Sequence, residues 1–296
     1  MTRIVCRQLA PRIADLEHNR ELVLGSIRES VDMGADIVLL PELITSGYML
    51  ESAEEAASVA IRPDHPLFED WRAEAARRSS TIIGGFCEQG DDGLLYNSAA
   101  VVDRDGVRGV YRKTHLWDRE KLIFEPGDEV PPVVDTEAGR IGLLICYDLE
   151  VPELTRAHAL AGADLLVVPT NWPVVERPPG ERAPEVIIAM AAARSNRVFV
   201  ACCDRTGTER GQQWTAGTTI INESGWPVAT ADQDGAAVAD VDLSLAREKR
   251  FTELADAMAD RRPHLYTAMA AALTDAQPVG QVVGPAADRP DEPAGS

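Results

Sequence analysis

The stretch Ile141-Gly-Leu-Leu-Ile-Cys-Tyr-Asp-Leu-Glu150 places Cys146 at the end of a short apolar run. A strand that ends on a thiol, with a polar turn directly after it, presents a nucleophile at the floor of a pocket. Taken alone, such a cysteine is more often a buried small apolar residue than a catalytic one, because free cysteine is among the most buried residue types. Other ionisable residues therefore have to decide its role.

Two further apolar runs lead directly to an ionisable side chain. Residues 37–41 precede Glu42, and residues 107–112 precede Lys113. A carboxylate against a buried strand end is costly unless it is paired or functional. Lys113 alone would also fit a solvated residue of a basic hairpin segment. A thiol, a carboxylate and an ammonium together are the groups that acyl transfer through a thioester requires.

Other kinds of site find little support in the sequence. It has no His-Glu-x-x-His motif and no Cys-x-x-Cys pair, so we expect no metal site. It also lacks both standard phosphate-binding glycine loops and the Gly-x-Ser-x-Gly motif of serine hydrolases. His115 and His158 have no spacing that ties them to Cys146. We expect no organic cofactor.

Composition limits the possible partners. The chain has 296 residues, of which 45% are hydrophobic and 26% charged, and a net charge of −19. Such a surface repels phosphate backbones, so a nucleic acid is not an expected partner. No apolar run approaches the roughly 20 residues of a membrane span, so no membrane partner is expected. Five cysteines without a secretion signal indicate free thiols and a cytoplasmic location.

Predicted strands and helices alternate along the chain. Buried apolar strands between helices indicate an α/β fold, and two hairpins indicate mixed sheets. No boundary divides the chain, so we expect one domain over residues 1–273 and a flexible C-terminal tail over residues 274–296. The predicted strands are 3–9, 36–40, 81–88, 97–103, 107–114, 140–145, 164–169, 198–202, 218–222, 228–230 and 236–241. The predicted helices are 19–33, 66–79, 151–161, 184–196 and about 263–273.

Six short motifs, in this order and at this spacing, resemble the nitrilase superfamily of carbon–nitrogen hydrolases over about residues 3–250. They are Leu40-Pro41-Glu42-Leu43, Tyr111-Arg112-Lys113-Thr114-His115-Leu116, Gly142-Leu-Leu-Ile-Cys146-Tyr147-Asp148, Gly162-Ala163-Asp164, Pro169-Thr170-Asn171-Trp172 and Ala193-Arg194-Ser195-Asn196-Arg197. The resemblance implies a four-layer α-β-β-α sandwich. It also implies a homodimer or a larger homo-oligomer.

The family's catalytic Glu, Lys and Cys fall on Glu42, Lys113 and Cys146, and a second family glutamate falls on Glu120. The resemblance implies that Cys146 attacks the substrate and that Glu42 transfers protons. Lys113 is expected to favour the thiolate and, with the backbone N–H of Tyr147, to hold the oxyanion. Glu120 is expected to orient Glu42.

The turn after the nucleophile favours an amidase. The chain has Cys-Tyr-Asp where nitrile-hydrolysing members typically carry Cys-Trp-Glu, and it lacks their longer C-terminal part. We expect a small-molecule substrate, a small and aliphatic carboxamide. An N-carbamoyl-amine or N-carbamoyl-amino-acid hydrolase, a true nitrilase and a non-catalytic regulatory member remain alternatives. Candidate substrate-binding residues are Tyr48, Trp117, Asn171, Trp172 and Trp214, although each aromatic also fits the core.

Overall fold

The first of two large sheets combines strands from the first 112 residues with one strand from residues 236–241. The computed structural model describes residues 1–231 and 235–274. The strands of this sheet are β1 (Thr2–Arg7), β2 (Ile37–Leu39), β3 (Thr81–Gln89), β4 (Leu95–Asp103), β5 (Gly106–Arg112) and β14 (Ala236–Val241). They lie in the order β14-β1-β2-β3-β4-β5, with β1, β2 and β3 parallel and the other neighbours antiparallel.

The second sheet repeats this plan with a parallel centre and antiparallel edges. Its strands are β6 (Val133–Thr136), β7 (Gly139–Leu143), β8 (Leu165–Pro169), β9 (Phe199–Cys203), β12 (Thr219–Ile221) and β13 (Pro227–Thr230). They lie in the order β13-β12-β9-β8-β7-β6, with β7, β8 and β9 parallel. A separate hairpin pairs β10 (Thr208–Glu209) with β11 (Gln212–Gln213).

Helices cover the outer face of each sheet. They are α1 (Leu16–Asp32), α2 (Ala53–Val59), α3 (Pro66–Ala76), α4 (Pro152–Leu160) and α5 (Pro184–Asn196), with 3-10 turns at Asp118–Leu122, Cys146–Glu150 and Leu243–Arg247. Helix α1 begins three residues before the predicted start, because the Asp15 side chain accepts the His18 N–H and caps it at Leu16. The short helix α2, which we did not predict, is capped in the same way by Ser52.

The alternation of side chains along the strands produces four layers. In β2, Val38 packs with Val23 of α1 and Trp71 of α3 on the outer face. Ile37 and Leu39 point the other way, into a core that they share with β7, β8 and α5. Successive residues of a strand face opposite sides. Each of the two large sheets therefore packs one face against helices and the other face against the other sheet. The predicted α-β-β-α sandwich is thus confirmed.

The compact unit that contains both sheets comprises residues 1–258. Helix α6 (Pro263–Thr274), close to its predicted range, belongs to a second unit that begins at Ala259. The flexible tail predicted from residue 274 lies, from residue 275 onward, outside the described residues, and the domain division stays a prediction. No helix within the described part of the chain has the length and apolar character needed to cross a bilayer.

Candidate active site

Three strand ends bring the sequence-predicted residues together between the two sheets. Glu42 follows β2, Lys113 follows β5 and Cys146 follows β7. The predicted strand 107–114 ends at Arg112, yet the Lys113 N–H still donates to the Asn97 carbonyl at 2.8 Å. The pairing of β4 with β5 therefore fixes the backbone from which the Lys113 side chain extends.

A fully buried ammonium lies between two carboxylates. Lys113 Nζ donates to Glu42 Oε1 at 2.7 Å and to Glu120 Oε1 at 2.9 Å. Asn97 Nδ2 donates to the same Glu42 oxygen at 2.8 Å. Glu120 is held in turn by the Trp117 N–H, which donates to its Oε2 at 2.9 Å. A buried charge is tolerated when it is paired and hydrogen-bonded, and each member of this cluster is both.

The cluster leaves two reactive positions open. An ammonium has three protons, and Lys113 uses two of them on the carboxylates. Glu42 Oε2 is buried and has no hydrogen-bond partner among the described residues. The site therefore offers one ammonium proton as a donor and one carboxylate oxygen as an acceptor to a bound molecule.

Burial and neighbouring charges shift the pKa values in this cluster. Burial raises the pKa of Glu42 to about 7, although the ammonium of Lys113 opposes the shift. Burial disfavours the charged form of Lys113, but the carboxylates of Glu120 and Glu42 outweigh it and raise the pKa of Lys113. Burial and the Glu42 carboxylate likewise raise the pKa of the Cys146 thiol, while Lys113 acts to lower it.

These directions bear on the expected state of the nucleophile. We expected Lys113 to favour the thiolate of Cys146, and its own effect on the thiol pKa has that sign. Burial and the carboxylate of Glu42 act in the opposite direction and raise the pKa of the thiol. A base near the sulfur would therefore assist the loss of the thiol proton during attack.

The backbone presents Cys146 in a rare conformation. Its φ angle is +48°, in the left-handed region, which costs a residue with a side chain about 1–2 kcal/mol. Directly after Ile145 the chain turns from β7 into the 3-10 turn Cys146–Glu150. Strained residues of this kind persist only where their surroundings hold them, and they concentrate at functional sites.

Asp148 is the group that holds this turn. It is fully buried, and its Oδ2 accepts the Ile145 N–H at 3.1 Å and the Tyr111 hydroxyl at 2.7 Å. Its Oδ1 accepts the Thr114 hydroxyl at 3.1 Å, the His115 N–H at 3.0 Å and His115 Nδ1 at 2.9 Å. One carboxylate therefore ties the nucleophile turn to the segment that follows Lys113. This accounts physically for the aspartate of the Cys-Tyr-Asp motif.

Close backbone packing positions Glu42. Gly85 lies in β3 directly beneath it, and a Cβ there would lie 2.4 Å from Leu43 N and 2.6 Å from Glu42 Cα. Asn171 Nδ2 donates to the Glu42 carbonyl at 2.9 Å. Asn171, predicted to contact substrate, thus holds the backbone of Glu42.

A cavity of about 140 Å³ adjoins the cluster. Of the predicted pocket residues, Tyr48, Trp117 and Trp214 line it, and Glu120 forms part of its wall. Trp172 does not line the cavity. Its ring packs against Gly217, and its backbone N–H donates to Asp204 at 3.0 Å. The neighbouring Pro173 lines the cavity in its place.

Two contributors to the site were missed in the sequence analysis. Asn97 is an amide in a strand whose next residue, Ser98, is also polar, and these two polar residues before an apolar run were the available signal. Asp204 accepts the backbone N–H groups of Trp172, Arg205 and Gly217, and it follows β9 much as Glu42 follows β2. Burial raises the pKa of Asp204 to about 7. No motif pointed to it.

Comparison with known proteins identifies the family. Residues 3–251 match the carbon–nitrogen hydrolase family. A nitrilase of Pyrococcus abyssi is 34% identical over 268 residues, which are 90% of this chain and 99% of that protein. An (R)-stereoselective amidase of Pseudomonas sp. is 33% identical over 86% of this chain and 89% of its own length.

A solved structure gives the same result in three dimensions. An amidase variant from Nesterenkonia sp. AN1, with acrylamide added to its active-site cysteine, matches with a TM-score of 0.74 at 27% identity. The match covers 91% of this chain and 100% of that chain. The chain belongs to the carbon–nitrogen hydrolase family and is a hydrolase acting on non-peptide carbon–nitrogen bonds. Its relatives include proteins named nitrilase and proteins named amidase, and the solved structure is that of an amidase of the same superfamily.

Proposed function

We propose that this chain is a cysteine-dependent amidohydrolase that converts a small aliphatic carboxamide to its acid and ammonia through a thioester. The observation that carries the proposal is the buried ammonium of Lys113, which is hydrogen-bonded to Glu42 and Glu120 and interacts electrostatically with Cys146. Acyl transfer to a thiol needs a nucleophile, a base and a donor for the developing oxyanion, and this cluster contains all three.

Glu42 is the proton carrier in this proposal. With a pKa of about 7, its carboxylate is half ionised near neutral pH, and its free Oε2 can accept the Cys146 proton. The sulfur then forms a bond to the amide carbon while the carbonyl π electrons move to oxygen. A positioned acid/base group contributes roughly 10²–10⁴ to the rate, most effectively when its pKa is close to the working pH.

Lys113 and Tyr147 are the proposed oxyanion donors. The third proton of Lys113 is free for the substrate oxygen. The backbone N–H of Tyr147 is near the start of the 3-10 turn Cys146–Glu150. Backbone N–H groups at this position have no acceptor within the turn. One such donor is worth about 10²–10³ in rate.

The cycle closes through the same carboxyl group. Glu42 returns the proton to the amide nitrogen, the carbon–nitrogen bond breaks, and ammonia leaves a thioester on Cys146. Glu42 then accepts a proton from water as the water oxygen attacks the thioester carbon. When that adduct collapses, the carbon–sulfur bond breaks, the acid leaves, and Glu42 returns its proton to the sulfur to restore the thiol. Glu120 keeps Lys113 and Asn97 aligned on Glu42 in both halves.

Matched variants test this assignment. We expect Cys146→Ala and Glu42→Gln each to remain folded and to lose amide turnover. Cys202→Ala removes another buried thiol, in β9, and Glu74→Gln removes another buried carboxylate, in α3, which pairs with Arg28 and Arg77. These two controls should keep their activity, measured as ammonia release, with folding checked by circular dichroism. Full activity in Cys146→Ala or Glu42→Gln would overturn the proposal.

Product analysis separates the substrate classes. Relatives from Arabidopsis thaliana are named N-carbamoylputrescine amidase, at 32% identity, and omega-amidase, at 31% identity. We expect ammonia and a free acid from amides. Carbon dioxide released together with ammonia would point to a carbamoyl substrate, and nitrile turnover without an amide intermediate would point to a nitrilase. If the wild-type protein hydrolysed no amide, carbamoyl compound or nitrile, and a thiol reagent did not label Cys146, a non-catalytic role would be favoured.

We also propose that the protein forms a homodimer or larger homo-oligomer in the cytoplasm, with a small molecule as its only reaction partner besides water. The support for assembly is the family resemblance. Light scattering after size exclusion measures the mass directly, and a monomeric mass of 32.0 kDa would contradict the proposal.

A further inference from the structure

We propose that the cavity beside Glu42, Lys113 and Cys146 accepts one neutral, apolar acyl group about the size of a benzene ring. We also propose that Trp214 limits the size of the acyl group that fits. Branched alkyl and simple aryl carboxamides are then the preferred substrates. This inference rests on the proposed amidase function, since the cavity and the reacting cluster share a wall.

The position of the cavity assigns it to the acyl side chain. Glu120 and Tyr48 line it, and Glu120 is hydrogen-bonded to Lys113. The half-buried Tyr48 also interacts electrostatically with Glu120, Glu42 and Cys146. A carbonyl carbon at the sulfur therefore has this cavity as the adjacent space for its substituent.

The walls of the cavity are mostly apolar. Tyr48, Leu50, Ile123, Phe124, Pro173 and Trp214 contribute to them. An apolar cavity of about 150 Å³ holds one benzene molecule, and this cavity measures about 140 Å³. Its capacity is therefore one aromatic ring or one branched chain of four or five carbons.

The charges around the cavity favour a neutral ligand. Asp118 and Glu120 both line it, and a carboxylate on the acyl chain would be repelled by them. Arg119, which is exposed, is the one cation among its lining residues in the described structure. Arg119 is thus the one lining side chain whose positive charge could attract an anionic substrate.

A buried ion pair keeps the walls in place. Arg205 Nη1 donates to Glu209 Oε1 at 2.7 Å, and both side chains are buried. Glu209 Oε2 accepts the backbone N–H groups of Tyr48 and Met49 at 2.9 and 2.7 Å. The Arg205 guanidinium lies 4.8 Å from the centre of the Trp214 ring, which contacts the Tyr48 ring edge-on at 5.4 Å.

These contacts make the size limit a rigid one. Trp214 is only 6% exposed and is bounded by Arg205 and Tyr48, so it has little freedom to move aside. A larger acyl group would have to displace a ring that the ion pair fixes. Removing the Trp214 ring is the change that should enlarge the cavity.

The experiment measures kcat/KM over a series of neutral amides. In the wild-type enzyme the value should rise about fourfold for each added buried carbon, from acetamide to isovaleramide and benzamide. It should fall again for 2-naphthamide. A maximum at acetamide would overturn the proposal.

Variants assign the limit to one residue. Trp214→Ala should raise kcat/KM for 2-naphthamide relative to benzamide at least tenfold, and Trp214→Phe should give an intermediate ratio. Trp226→Ala removes a tryptophan that is 66% exposed and should leave the ratio unchanged. An unchanged ratio in folded Trp214→Phe and Trp214→Ala would refute the role of Trp214.

An anionic amide tests the competing substrate class. Glutaramate should be hydrolysed at least tenfold less efficiently than isovaleramide. A preference for glutaramate that Arg119→Gln abolishes would overturn the proposal in favour of carboxylate recognition.

Binding separates this proposal from the proposed function. Calorimetric titration of the Cys146→Ala variant requires no turnover. Isovaleramide should bind at least tenfold more tightly than acetamide, even if the wild-type enzyme hydrolysed neither. Equal affinities would overturn the cavity assignment and leave the catalytic proposal to its own test.

Discussion

Replacement of Asp148 by asparagine should disconnect the nucleophile turn from the rest of the site. Each carboxylate oxygen accepts one backbone N–H, from Ile145 on Oδ2 and from His115 on Oδ1. Side-chain hydroxyls can rotate, but these two N–H groups cannot. An asparagine has one oxygen and one NH₂ group, so in either orientation one backbone N–H faces another donor.

The magnitude follows from that single unavoidable mismatch. A buried donor without an acceptor costs about 1–3 kcal/mol, and the remaining hydrogen bonds lose the strength that the charge gave them. We expect Asp148→Asn to lower the free energy of unfolding by about 2–4 kcal/mol. Because Ile145 directly precedes Cys146, the sulfur should also move, and a displacement of about 1 Å costs on the order of 10² in rate.

Two assays and one control measure these effects. Urea unfolding gives the stability, and ammonia release gives kcat/KM. Asp105→Asn alters an exposed hairpin carboxylate, 3.7 Å from Arg108, and should change stability by less than about 0.5 kcal/mol. The hydrogen bond to Asp148 raises the pKa of His115, so an NMR titration of that ring should show a lower pKa in Asp148→Asn.

One result would refute this reasoning. If Asp148→Asn unfolded within about 0.5 kcal/mol of the wild type and kept its turnover, the carboxylate would not hold the turn.

The remaining predictions concern Glu42 and the strand beneath it. Because the pKa of Glu42 is raised from 4.5 to about 7, and only its ionised form can accept the thiol proton, kcat/KM should fall tenfold per pH unit below about pH 7. A pH–rate profile checks this, with Glu74→Gln as the control, and a midpoint near 4.5 would contradict it. Gly85→Ala should destabilise the fold by about 1–3 kcal/mol and reduce turnover, because its Cβ would meet the backbone of Glu42 and Leu43. Gly25→Ala, in helix α1 with open space around it, should instead stabilise by about 0.5–1 kcal/mol, and equal effects of the two in urea unfolding would refute the packing argument.

Much of the fold was predictable because local patterns and long-range packing agree. Helix α5 and strand β14 have the bounds predicted for them, since proline starts the helix and a short apolar run marks the strand. Strand β6 was missed because its half-exposed residues carry a weak pattern at a sheet edge. The pair β10–β11 was missed because strands of two residues carry no period.

The site was predictable in part for a related reason. Glu42, Lys113 and Cys146 each lie at or directly after the end of a predicted strand, so their positions along the sequence already mark them. Asn97 and Asp204 act through partners that are distant along the chain, and such partners leave no local signal. Trp172 was expected at the substrate, but its backbone N–H donates to Asp204, its ring packs on Gly217, and the neighbouring Pro173 lines the cavity.

The sequence by itself predicted the α/β class, because that depends on periodicity. The resemblance of its motifs indicated the family and the three proposed reactive side chains. Only the tertiary structure decided their electrostatic environment. Burial and the carboxylate of Glu42 raise the pKa of the Cys146 thiol against the opposing effect of Lys113, and that balance depends on distances across two sheets. The acyl cavity likewise exists only where residues from four separate segments meet around Trp214.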